Sequence, residues 1–584
     1  MNMNDRKRQQ QFAGIVLLLT AAALILIGLG LRDPWPADEP RFAQIAKEMV
    51  ESGQWLFPTR GGEYYPDKPP VFMWAIAFFY VLTGSIHIAF LLPSALASLL
   101  TVFLVYDLGK RLWNESVGLT AGALLLFSVQ FLLQSKTAQI DAMVSCWITI
   151  GCYGLLRFIL IERRWLWYYL AFFFMGLGVI TKGVGFLPVL MLLPYYFFQK
   201  TNTVNVTMHA QRYDVWRWLA GPIFMFLAIG LWLVPMLIQV ELSQDPALIQ
   251  YRDNILFRQT VTRYADSWHH LKPFWYYLVE VIPLFWLPVS VAVPWLLPKW
   301  YQAFKNCDAR IILPATWILL LVLFFSISPG KRGVYILPAL PMLVIISAPY
   351  VKELISKTSL PRLLWVVVAA LSILCLGVGF AGLAKLTFLL ELENKYGLSP
   401  WLFFLFIGAL GVGISLFTVR KKIWRAWPLF ISLLMVGYST WGYVLLDDVK
   451  TPKNIFRNIQ AIVKEQNVTI GLVNFSEQFI LFSPYSVVHF GYHSELPEQI
   501  NTAYHWLGKG DDARYVLVDE DNISEKCFDL QKAKPVGYAH RKNWILLSAE
   551  ARKPECGLSA LIPDLKIYRY EKAVATSSGL SHKR

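Results

Sequence analysis

The sequence is poor in charge: Asp, Glu, Lys and Arg make up 16% of its 584 residues, where an ordinary soluble protein carries roughly 25%. With so little charge and so much apolar surface, a disordered chain is excluded, and the composition fits neither collagen nor a coiled coil. Six cysteines in the whole chain are too few for a disulfide-built scaffold. No Walker loop and no dinucleotide fingerprint occurs, so nothing points to nucleotide chemistry. No internal repeat or low-complexity segment supports a solenoid or an inverted-repeat transporter. No His/Cys cluster marks a metal site. What the chain has in abundance is apolar sequence, with 56% hydrophobic and 15% aromatic residues. Its net charge of +15 would suit nucleic acid only if Lys and Arg clustered on a soluble domain. Here they punctuate apolar runs, the pattern of membrane orientation, and no nucleic-acid partner is expected.

The first run, residues 12–31, is about long enough to cross a hydrocarbon core of roughly 30 Å. It follows Arg6-Lys7-Arg8 and leads straight into Arg32-Asp33-Pro34-Trp35 without a cleavage site, so it reads as a retained helix and not as a signal peptide. Cutting the remaining runs so that every second loop is basic gives spans at 12–31, 86–108, 117–134, 142–161, 165–181, 184–199, 217–240, 276–297, 311–327, 335–351, 363–384, 400–418 and 426–445, about 13 in all. The run 71–82 is too short to cross and reads as a helix at the outer interface. The expectation is an all-α polytopic membrane domain over 1–445, with a long outer loop at 32–85. An odd number of spans puts a polar tail, 446–571, outside as well. Strand-like runs at 468–473, 486–490, 515–518 and 544–547 alternate there with helix-like ones, as in a small α/β domain. Residues 572–584 read as a flexible end. Cys146, Cys152 and Cys375 fall in spans and Cys307 in a cytoplasmic loop, leaving Cys527 and Cys556 to pair in an oxidising compartment.

The outer loops hold the chemistry. Asp38 follows a Pro-rich entry where a helix would start; it is either an N-cap or a carboxylate held near the lipid boundary as a base or ligand. Glu39 and Arg41 sit beside it. Next come Tyr64, Tyr65, Asp67 and Lys68 before two prolines; an Asp-Lys pair beside a turn is ordinarily a solvated surface pair, but here it borders the interfacial helix. Further outer loops add Lys136 and Asp141, Thr181-Lys182-Gly183, Arg258 and Arg263 with His269-His270, and Lys331-Arg332-Gly333-Val334-Tyr335. Cations in short outer loops break the positive-inside rule. A partner of negative charge explains them most simply, and a lipid phosphate leaving group suits several cations with a few placed acids.

Taken together, the Pro-x-Asp-Glu-x-Arg-aromatic-Ala-x-Ile start at Pro36, the Tyr-x-x-Lys-Pro at Tyr65, the Asp opening the fourth span, Thr181-Lys182-Gly183 and Pro273-Phe274-Trp275-Tyr276-Tyr277 resemble the GT-C membrane glycosyltransferases. Within these, the likeness is to the lipid A aminoarabinose transferases and their protein-mannosyltransferase-like group. It covers roughly residues 12–350. The resemblance implies that Asp38 and Asp141 are catalytic carboxylates. It implies that Lys68, Lys182, Arg263 (or Arg258) and Tyr335 hold the donor phosphate. Beside these, the outward cations Lys331 and Arg332 read as further phosphate contacts, and Glu39, Arg41, Tyr65 and Asp67 as acceptor or sugar contacts. Phe42 stands where the family has tyrosine and Asp67 where it has glutamate. The implied reaction moves a sugar, foremost 4-amino-4-deoxy-L-arabinose, from undecaprenyl phosphate to lipid A on the periplasmic face of a bacterial inner membrane. No certain cofactor is implied; a carboxylate-bound divalent ion is compatible with the same residues. The chain is expected to act as a monomer among membrane lipids. Two alternatives are transfer to protein or another glycan, and transport of a lipid-linked sugar, which would need ionisable groups along a mid-membrane path.

Overall fold

A computed structural model describes residues 3–200, 214–257, 271–420, 422–463, 468–508, 513–554, 556 and 567–570. The chain divides into two compact units. The first comprises Met1–Arg32, Pro66–Phe79 and His87–Leu445; the second comprises Asp33–Tyr65, Tyr80–Ile86 and the chain from Leu446 onward. The last division falls between Leu445 and Leu446, and residues 33–65 group with the chain after it. The expected tail end, 572–584, lies outside the described residues.

The first unit is a bundle of apolar helices. Among the described residues nine are long and apolar enough to span, or eleven if each of two bent pairs is one span, against the expected 13. Two expected spans account for the difference. Residues 12–31 give an apolar helix only over Gln11–Leu26, because Gly28 and Gly30 take φ of 86° and 79°, which no helix contains. A Cβ on Gly28 would lie 2.0 Å from the Ser439 carbonyl oxygen, so glycine is needed there for close approach as well. Residues 184–199 break into a short turn, Leu187–Met191, and a helix, Leu192–Lys200, because Pro188 and Pro194 each withhold a backbone donor. The helix Val71–Thr83 is apolar and short, in keeping with an interfacial segment.

The second unit is built on a six-stranded sheet. Its strands are β3 (Val468–Leu472), β4 (Ser486–His489), β5 (Ala513–Asp519), β6 (Lys534–Ala539), β7 (Lys542–Leu547) and β8 (Tyr568–Tyr570), in the order β6-β7-β5-β3-β4-β8. β3 pairs in parallel with β4 and β5, and the outer pairings are antiparallel. Side chains alternate across the sheet. Leu517 joins Ile455, Phe456 and Ile459 of helix Lys453–Ile462 in one core, while Val516 and Val518 join Ala503, Trp506 and Leu507 of helix Leu496–Leu507 in the other. Cys527 and Cys556 are bonded and lie in that second core. From the first outer loop come helix Glu39–Ser52 and a hairpin of β1 (Thr59–Arg60) and β2 (Glu63–Tyr64). Buried Glu48 fastens the hairpin turn, accepting from Gly61 N at 2.6 Å and Thr59 Oγ1 at 2.8 Å.

Candidate active site

The expected site residues divide between the two units. In the first, Asp141 lies in the first turn of helix Ile140–Leu156, where the helix dipole favours a carboxylate. Lys182 is the last residue of helix Trp165–Lys182, which stops because Gly183 takes φ of 83°. The two side chains form an ion pair, and each keeps only 13–14% of its surface exposed. Tyr335, in the turn Gly333–Ile336, places its ring 4.4 Å from Lys182 Nζ. Three segments far apart in sequence thus meet on one ammonium. A lysine so held by one carboxylate and one ring face retains donors for an anion. Asp67, Lys68 and Arg332 are half-buried in the same unit.

Two other outward cations have a different explanation from a phosphate. Lys331, 4% exposed, donates to the Lys272 carbonyl at 3.0 Å. Lys136, 3% exposed, donates to the Ile27 carbonyl at 2.6 Å, one of the carbonyls left open where the first helix ends. Arg32 Nη2 reaches the Lys136 carbonyl at 2.9 Å. These two lysines fasten backbone ends. Arg258 and Arg263 lie outside the described residues.

In the second unit, Asp38 occupies the N-cap position of helix Glu39–Ser52 but makes no capping hydrogen bond. Its Oδ1 lies 3.7 Å from Arg41 Nη1. The capping account of this aspartate is therefore set aside. Glu39, 5% exposed, accepts the Trp35 amide at 2.8 Å, closing the turn that delivers Asp38. The Asp33 amide and the Trp35 indole both donate to Asp447 Oδ1, at 2.9 and 3.0 Å. Lys453 bridges Asp447 and Asp33. Sequence reasoning missed the residue on the other side of Arg41. Glu477 Oε1 accepts from Arg41 Nε at 2.7 Å and from Arg60 Nη1 at 2.6 Å. Arg60, 2% exposed, stands 3.3 Å over the Tyr492 ring and 5.1 Å from that of buried Tyr65. Burial by itself would raise the Glu477 pKa, but the charges of Arg60 and Arg41 and the Arg41 hydrogen bond outweigh it and hold the carboxyl below the usual range. A lone tail glutamate more than 400 positions from both arginines carries no sequence signal. Among the described residues no three His, Cys, Asp or Glu side chains gather as a metal-ligand set.

Comparison with known proteins agrees with this architecture. Residues 67–232 match the dolichyl-phosphate-mannose-protein mannosyltransferase family model. The chain is similar to undecaprenyl phosphate-alpha-4-amino-4-deoxy-L-arabinose arabinosyl transferase 1 of Pseudomonas fluorescens, with 33% identity over 56% of this chain and 57% of the relative. It is also similar to the corresponding transferase of Pseudomonas aeruginosa, with 28% identity over 72% and 74%. The chain thus spans somewhat more than half the length of the first relative and about three quarters of the second. The crystal structure of ArnT from Cupriavidus metallidurans bound to undecaprenyl phosphate superimposes with a TM-score of 0.70, at 17% identity, over 93% of this chain and 99% of that one. The fold is that of this ArnT structure, and in sequence the chain is similar to the undecaprenyl phosphate-alpha-4-amino-4-deoxy-L-arabinose arabinosyl transferases.

Proposed function

We propose that this chain transfers 4-amino-4-deoxy-L-arabinose from undecaprenyl phosphate to a phosphate of lipid A at the periplasmic face of the bacterial inner membrane. The observation that carries the reading is the meeting of Asp141, Lys182 and Tyr335, an anion site assembled from three segments, in a chain similar to arabinosyl transferases named for undecaprenyl phosphate.

In the proposed reaction an oxygen of the acceptor phosphate attacks the anomeric carbon. The bond from that carbon to the donor phosphate oxygen breaks, and its electron pair leaves with undecaprenyl phosphate. The donor phosphate passes from diester to monoester and gains negative charge. Cations placed where charge develops are the main source of acceleration in such a transfer, and Lys182 and Lys68 take that role. Asp141 fixes the lysine and Tyr335 covers it. The nucleophile is already anionic, so Asp38 orients the acceptor and removes no proton. A second reading is favoured by the mannosyltransferase model over 67–232. There the acceptor is a hydroxyl, and Asp38 takes its proton during attack.

Mass spectrometry of lipid A and of periplasmic glycoproteins, with and without the protein, separates the two. Aminoarabinose on lipid A should depend on the protein, and Lys182→Ala should lower transfer about 10²–10³-fold, as for loss of one charge-stabilising donor. Unchanged lipid A with altered glycoproteins would overturn the first reading in favour of the second.

A further inference from the structure

The first unit contains a cleft of about 550 Å³, within the range of ligand sites, that the transfer reaction does not use. It lies among helices Glu115–Leu126, Val289–Lys305 and Ala339–Lys357 and the first turns of the helices that start at Leu360 and Ala426. Its inner end is made by two breaks in the bundle. At Phe127 the chain turns 67° into Val129–Ser135, and before Val289 a second pair of helices turns through 108°; Phe127, Pro288 and Val289 all line the cleft. The backbone freed at the first break is satisfied, since the Trp427 indole donates to the Phe127 carbonyl at 3.0 Å. Two of the three hydroxyls of the lining are spent as well, the third being that of Ser116 at the exposed start of its helix. Thr120 donates to Ser116 O at 2.8 Å and Ser347 to Leu343 O at 2.6 Å. The wall is therefore apolar, floored by the small residues Ala123 and Ala292.

The other end of the cleft is cationic. Arg362 lies in the first turn of the helix that starts at Leu360, Lys422 and Arg425 lie just before the one that starts at Ala426, and Lys352 lines the cleft itself. Its neighbours Lys299 and Lys357 are both held by Glu353. Among the described residues no carboxylate pairs with Lys352. This is the end where the basic loops gather, which the positive-inside rule assigns to the cytoplasm. From Ser116 to Phe127 the helix advances about 17 Å at 1.5 Å per residue, roughly half a hydrocarbon core. A polar headgroup at one end and one leaflet of apolar depth describe a single lipid chain under a phosphate.

We propose that the cleft binds an anionic phospholipid of the leaflet on the basic-loop side, one acyl chain lying along Ala123 and Ala292 to Phe127 and the phosphate at Lys352. The proposal is independent of the sugar-transfer reading, because it concerns the opposite loops and needs no donor or acceptor.

The test uses the full-length protein, delipidated in detergent, titrated with dioleoyl phosphatidylglycerol or dioleoyl phosphatidylcholine and read by native mass spectrometry. One phosphatidylglycerol should be retained in preference to phosphatidylcholine. Lys352→Gln, an exposed position, should weaken phosphatidylglycerol about fivefold, the worth of one surface cation toward an anionic lipid, and leave phosphatidylcholine unchanged. Ala292→Phe, which fills the floor, should remove the retained lipid of both kinds; Ala123→Leu is the second filling variant should the first unfold. A phosphatidylglycerol with a diazirine on its acyl chain should label the peptide containing Ala123 and Phe127. Equal retention of the two lipids, retention unaltered in a folded filling variant, or labelling elsewhere would each overturn the proposal. So would displacement of phosphatidylglycerol by equimolar undecaprenyl phosphate, which would give the cleft to a prenyl chain.

Discussion

Glutamate 477 offers a direct check on the physics of the second unit. Its Oε1 lies 2.6 Å from Arg60 Nη1 and 2.7 Å from Arg41 Nε, so one carboxylate neutralises two guanidiniums. Arg60 has 2% of its side chain exposed, and one of its terminal nitrogens has no hydrogen-bond partner. Its remaining support is the faces of Tyr492, Tyr65 and Phe475. In Glu477→Ala two like charges would share a desolvated site. Stranding a buried charge costs about 3–5 kcal/mol. Arg41 adds less, about 1 kcal/mol or under, because it is 24% exposed and retains Asp38 at 3.7 Å. Amide hydrogen exchange of β3 and β5 in the intact protein is the assay. Protection there should fall about 10²–10⁴-fold, at 1.4 kcal/mol for each factor of ten. Glu477→Ala combined with Arg60→Met, which leaves an apolar chain among the three rings, should recover most of the loss. A fall of less than tenfold in the single variant would refute the argument that this carboxylate neutralises a buried charge. Because Arg41 and Asp38 share the first turn of one helix, Glu477→Ala should also depress sugar transfer beyond its effect on protein yield.

Asp38→Asn preserves size and capping ability but removes the charge; since the carboxylate makes no capping hydrogen bond, stability should hold while transfer falls about 10²-fold, the cost of a misplaced acceptor, or by as much or more where the acceptor is a hydroxyl whose proton Asp38 takes, and wild-type-like transfer would remove Asp38 from the mechanism. His489 should make the second unit acid-sensitive: burial, and then the charge of Arg60, lower its pKa to about 4 against the hydrogen bond to Gly61, so the unfolded chain protonates first, near 6.5. Stability present above pH 6.5 is lost as pH falls toward 4, by roughly 3 kcal/mol in full. His540, whose pKa burial and the charge of Lys450 likewise lower to about 4, contributes in the same window. Hydrogen exchange of β3 at pH 7 and pH 5 should show about half of that pH dependence removed in His489→Gln and nearly all in a variant replacing both histidines; a dependence unchanged in both variants would contradict the assignment.

The sequence by itself determined that this is a membrane bundle with a polar sheet-bearing tail, because lipid admits only long apolar helices and an apolar run of adequate length can do little else. It located β3, β4, β5 and β7, whose alternating residues must fill two cores. It missed β6 and β8, the two edge strands, where Pro535 and Gly537 weaken the strand signal in β6 and β8 spans only three residues. It also singled out Asp38, Asp141 and Lys182, since a charge beside lipid stands out in composition, whereas Tyr335 was reached only through the family resemblance. Only the tertiary structure decided what those charges face. Nothing in their spacing separates Lys182, which meets a carboxylate and a tyrosine ring, from Lys136 and Lys331, which fasten carbonyls of distant loops. Nor could spacing have shown that Arg41 is held by Glu477. Hydrophobic periodicity is a property of neighbours along the chain and can be read from them, whereas the partner of a polar side chain is set by which loops the packed helices and sheet bring together.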